Sequence, residues 1–160
     1  MNKYLSTLLV VYLAFTNVVS ADTENIIAFD KSEAKYRVGE IFSLDIIATN
    51  LTISEGGGIN LEYDASIIHV VEVSIDTGAW SLGSQIGDID NNAGIVRDIL
   101  FSSFKGALGN VKIAKVLFQA IGKGKSSIVI TESAKNPFAS SGQRMTVNFS
   151  PVDIHVIRAR

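Results

Sequence analysis

The chain has 160 residues, 47% hydrophobic and 19% charged, with a formal net charge of −2 and no cysteine. That is one domain's worth of chain with enough apolar mass to bury a core. The acidic balance excludes a basic nucleic-acid footprint and gives no attraction to an anionic membrane, while the missing thiols exclude disulfides and a lipid-modified N-terminal cysteine.

The first predicted element lies outside the fold. Lys3 supplies a positive n-region, Leu5 to Phe15 form an apolar run, and "VVSAD" ends it in small residues, the pattern of a secretory signal peptide. Cleavage after Ala21 leaves Val19 and Ala21 at the −3 and −1 positions, and cleavage after Ser20 is a near equivalent. The run is shorter than the roughly 18 to 20 residues that span a bilayer. Residues 1–21 are therefore expected to be a cleaved signal peptide and 22–160 a single domain, secreted or periplasmic, without a membrane anchor.

From there the dominant period is two. Short runs at 26–29 and 36–38 open the domain, and "FSLDIIA" within 40–49 sets Phe42, Leu44, Ile46 and Ala48 against Ser43, Asp45 and Ile47. Gly56 to Gly58 permit a tight turn or a close backbone approach. "INLEY" within 58–63 then turns Ile59, Leu61 and Tyr63 inward and Asn60 and Glu62 outward. Asp64 is placed to cap the next turn, with Ser66 as a second local acceptor. Over 68–75 the apolar parity slips, which predicts a bulge near Val70 or a strand covered on both faces. Further runs fall at 95–102, 111–121, 126–131 and 144–157, the last bending or breaking at Pro151, with glycines between them. No segment keeps a helical period over three turns. About nine alternating strands predict an all-β chain folded as a two-sheet β-sandwich.

Nothing in this pattern suits catalysis. His69 and His155 sit on strands, no serine stands in a nucleophile elbow, and Glu62, Glu72, Asp88 and Asp90 lie on wet faces or in turns. No enzyme activity and no cofactor are expected. "DIDNNAG" spaces Asp88, Asp90 and Asn92 as oxygen ligands for calcium, but lacks a central glycine and a closing glutamate. It reads as an Asx-rich turn, and no metal is assigned. Trp80, the one tryptophan, is the sole candidate for stacking a sugar ring; the alternative is a plug at the core edge. In "GIVRDILFSS" simple alternation puts Asp98 on one face and Arg97, Ile99 and Phe101 on the other. Either a bulge restores the core, or Ile99 and Phe101 form an exposed apolar pair beside Arg97, the composition of a protein-binding centre.

The stretch "GGGINLEYDASIIHVVEV" resembles the cohesin domain family: a strand ending in Tyr-Asp, two turn residues, then paired aliphatics. "DNNAGIVRDILFSS", "GALGNVKIAKVLFQAIGKGKSSIVI" and "VDIHV" follow in the family's order, over about residues 26 to 157. The resemblance implies a nine-stranded jelly-roll and a non-catalytic module whose partner is a dockerin, a calcium-loaded helical module of polysaccharide-degrading enzymes. It also implies a binding face of Gly58, Asn60, Glu62, Arg97, Ile99 and Phe101. Two positions depart from the family pattern: Ala65 stands where proline is common, and Asp98 where an inward apolar residue is usual. Direct carbohydrate binding through Trp80 and self-association as an adhesive or structural protein are the alternatives.

Overall fold

The computed structural model describes residues 24–159, so the expected signal segment lies outside the described residues. Twelve strands follow in order: β1 (Ile26–Phe29), β2 (Glu33–Arg37), β3 (Ile41–Glu62), β4 (Ile68–Ile75), β5 (Gly83–Gln85), β6 (Asp88–Asp90), β7 (Ile95–Ala120), β8 (Gly124–Glu132), β9 (Ala139–Ser140), β10 (Gln143–Arg144), β11 (Asn148–Ser150) and β12 (Val152–Ile157). They form a β-sandwich of jelly-roll type. One sheet runs β4, the second half of β7, the first half of β3, β1 and β11. The other runs β5 and β6, the first half of β7, the second half of β3, β8, β12 and β2.

The expected separate strands at 40–49 and 58–63 are one strand, β3, and those at 95–102 and 111–121 are one strand, β7. Both remain paired with each other while crossing between sheets, through a series of register shifts. Bulges of this kind bend a ladder without ending it, and period-two alternation does not register them. The run at 144–157 divides at Pro151. β11 pairs with β1 in one sheet and β12 with β8 and β2 in the other, so the residue lacking an N–H stands where the chain changes sheets.

The inward sets read from alternation form the core. Phe42, Leu44, Ile46 and Ala48 meet Val116, Phe118 and Ala120 on one sheet, and Ile59, Leu61 and Val96 line the other. Between the sheets runs a chain of aromatic contacts: Trp80 to Phe101 at 4.6 Å, Phe101 to Phe138 at 5.5 Å, and Phe138 to Phe149 at 6.3 Å. Gly57 admits this chain, since a Cβ there would lie 2.8 Å from the Phe138 ring. The three glycines are thus not a turn; they sit inside β3 where other groups press against it.

The turn after β3 forms much as expected. Asp64 Oδ1 accepts from the Ser66 amide at 2.8 Å and from the Ser66 hydroxyl at 2.6 Å. Ser66 therefore donates rather than accepts, and these two bonds hold the Asp64 carboxyl below its ordinary range. In β4 the register shifts between Val70 and Glu72, which leaves Val71 exposed.

Candidate binding face

The outer surface of the β5/β6–β7–β3–β8 sheet holds the positions singled out from sequence. Ile59 and Leu61 are buried, so Asn60 and Glu62 point outward between β7 and β8. Asn60 stands across from Thr131 of β8, and Glu62 lies between Val129 and Ile95. On the far side of β7, Asp88 pairs with Arg97 and Asp90 with Ile95.

The strand β7 changes parity at Asp98. Between the Ile59–Ile99 and Leu61–Val96 pairs, β7 has two residues, Arg97 and Asp98, against the single Asn60 of β3. Asp98 takes a φ of 58°, a left-handed conformation that needs support in a residue other than glycine. Support comes from β3 and from the loop that follows β8. Asn60 Oδ1 accepts the Asp98 N–H at 2.9 Å, while Asn60 Nδ2 donates to the Glu132 carbonyl at 3.3 Å. The Asp98 carboxylate accepts from the Ser133 hydroxyl at 2.6 Å and pairs with the Lys135 ammonium at 2.6 Å. Lys135 and Ser133 hold the Asp98 carboxyl below the usual range, and Asp98 holds the Lys135 ammonium above its own.

This bulge corrects part of the expected face. Val96, Ile99 and Phe101 all turn inward; Ile99 is 0% exposed and Phe101 1%. No apolar pair is presented at those positions. Gly58 is also buried, with Leu100, Ser133 and Asn136 within 3.1 Å of where its Cβ would stand. The segment 133–136 lies over it, tied by Asn136 Nδ2 to the Gly57 carbonyl at 2.8 Å. Trp80 is 1% exposed and donates its indole N–H to the Lys112 carbonyl at 3.0 Å, so no face is left for a sugar ring. It plugs the core.

The accessible groups are therefore Glu62, Arg97, Asp88 and Lys135, with Asn60 and Asp98 half-buried between them. Arg97 stands 3.9 Å from Asp90. Among the described residues neither Glu62 nor Asp88 has a salt-bridge partner. Arg97, Asp88, Asp98 and Lys135 line an open depression of about 500 Å³. In the Asp88–Asn92 segment, Asp90 Oδ1 accepts from the Asn92 and Ala93 amides at 3.1 and 3.0 Å. That oxygen is committed to closing the turn, as an Asx turn requires.

Two features escaped the sequence. Asn91 joins the β6–β7 turn to β4, and Lys135 with Ser133 reaches Asp98 from a loop 35 residues further along the chain in the case of Ser133. Neither has a local pattern to announce it.

No protein-family model and no curated protein matches the sequence. Solved structures do. The chain superposes on the cohesin of a type I cohesin–dockerin complex from Clostridium thermocellum with a TM-score of 0.69, covering 84% of this chain and 99% of that one at 14% identity. The fold is that of a cohesin domain. A type II cohesin domain from the cellulosome of Acetivibrio cellulolyticus matches with a TM-score of 0.62 at 20% identity, over 82% of this chain and 94% of that one. A non-cellulosomal cohesin from the archaeon Archaeoglobus fulgidus matches with a TM-score of 0.66 at 11% identity, over 84% and 91%. The cohesin fold thus accounts for nearly all the described residues, with β3 and β7 each supplying a strand to both sheets.

Proposed function

We propose that the chain is an exported, non-catalytic binding module that recognises a dockerin-like protein partner through the outer face of the β5/β6–β7–β3–β8 sheet. The observation that carries this reading is the whole-domain likeness to cohesins, among them ones solved in complex with dockerins. Asn60, Glu62 and Arg97 are the expected contact residues, joined by Asp88, Asp98 and Lys135. Gly58, Ile99 and Phe101 serve the face from beneath: they shape and stiffen it without touching the partner. An extracellular polysaccharide-degrading setting fits this role, and export by residues 1–21 completes it.

A charge pair buried at an interface typically costs about 2 kcal/mol or more when one partner is lost, roughly thirtyfold in affinity. Titration calorimetry against a panel of calcium-loaded type I and type II dockerin modules should therefore detect a complex. Glu62→Lys combined with Arg97→Glu should weaken it at least about tenfold, with the thermal midpoint unchanged. A complex that tolerates the double variant places the interface elsewhere, and no binding to any dockerin counts against the partner class.

A further inference from the structure

The end of the sandwich where β3 and β7 cross between sheets exposes apolar side chains. Phe104 is 80% exposed, Leu108 68% and Ile53 50%. Leu82, 62% exposed, joins them through its N–H on the Ser102 carbonyl. The backbone holds this arrangement. Between the Gly56–Ser102 and Ser54–Ala107 pairs β7 has more residues than β3, so Phe104 and Lys105 are pushed out of the ladder. Gly106 returns the chain at a φ of 77°, and Ile53 lies over it, with Cγ1 2.6 Å from where a Cβ would be. Glu55, which borders the same small depression as Ile53, Phe104 and Lys105, turns its carboxylate onto the Ser141 and Gly142 amides at 3.1 and 3.2 Å. Among the described residues the patch is thus apolar, with Lys105, which enters no salt bridge, at its rim, an unusual composition for an exposed corner.

Its position in the chain indicates what covers it. Asn25 Oδ1 accepts the Thr52 N–H at 2.8 Å, and Leu51 pairs with Gly109, so the chain enters the domain next to Ile53 and Leu108. Residues 16–24 alone separate this point from the apolar run Leu5–Phe15, a reach of about 30 Å at full extension. We propose that this end of the sandwich is a lipid-contact surface: Phe104 and Leu108, flanked by Ile53 and Leu82, seat on the bilayer across which the chain is exported while Leu5–Phe15 still holds it there. The inference rests on the export reading of residues 1–21 and not on the partner face. Contact is by apolar insertion at the headgroup boundary, so zwitterionic lipid suffices.

The absence of cysteine makes the test clean. Phe104→Cys, Leu108→Cys and Ile41→Cys are each labelled with an environment-sensitive dye in the full chain, bound to phosphatidylcholine vesicles. Ile41 is 60% exposed but opens β3, twelve residues before Ile53 and away from the crossing between sheets, and buried Trp80 reports that each variant is folded. The dye at 104 and 108 should shift to the blue and lose intensity when spin-labelled lipid is added, while the dye at 41 does neither. Equal responses at all three positions overturn the proposal. So does a blue shift that follows protein concentration without lipid quenching, which would make a second copy the occupant.

Discussion

Asn91 shows how much a single side chain can hold. Its Oδ1 accepts from the Tyr63 hydroxyl at 2.7 Å and the Val70 N–H at 2.8 Å, and its Nδ2 donates to the Val70 carbonyl at 2.9 Å. One amide thus satisfies the end of β3 and the bulged edge of β4 together. Burial pushes the Tyr63 phenol up, so it remains a donor throughout the neutral range. Asn91→Ala would strand these groups in a covered site. A loss of about 2 to 4 kcal/mol is expected in denaturant unfolding, whereas Asn92→Ala, at the exposed neighbouring position, should stay within about 0.5 kcal/mol. In the row Asp88 to Asn92 the sequence offers four Asx residues, and alternation draws attention to the other three. Asn91 is set apart only by partners 21 and 28 residues away, a relation that no local spacing encodes.

At the scale of elements, the strands were legible where burial is one-sided and regular, as with Phe42, Leu44 and Ile46 or Ile59 and Leu61. They were not legible at bulges. Continuing strict alternation through Asp98 turns Ile99 and Phe101 outward, but the left-handed residue is stabilised by Asn60 from β3 and by Ser133 and Lys135 beyond β8. Those contributions are tertiary, and they reverse the side-chain parity of half a strand. The same network pins the 133–136 segment over Gly58, which gives it a pH dependence. Asp98 has a lowered pKa in the fold, so its contribution is complete above the ordinary carboxylate range and is lost as pH falls through the lowered value. Lys135 has a raised pKa, so its contribution is complete below the ordinary ammonium range and is lost as pH rises through the raised value. Asp98→Asn should therefore flatten the acid branch of the thermal midpoint against pH relative to wild type. At neutral pH it should also speed amide exchange across 133–136. Superimposable acid branches would show that the pair does not hold the segment.

For the molecule as a whole, β3 and β7 tie the two sheets into one body. Each strand lends its halves to both sheets, and the aromatic contacts from Trp80 to Phe149 fill the space between. Neither sheet can open while the other stays intact, so unfolding should be all-or-none. Far-UV dichroism, which reports the sheets, and the emission of Trp80, which reports the packing between them, should give one coincident midpoint in urea. Two separated midpoints would mean that the halves of β3 and β7 come apart independently. The chain ends add a mechanical property. β1 lies parallel to β11 and β2 parallel to β12, with the entering segment at the Ile53 end and Ile157 bonded to Val38 at the other. Tension drawn between the two termini therefore pulls both pairs lengthwise in shear, loading their rungs together instead of unzipping them one by one, and the domain is built to bear a pull along its own axis.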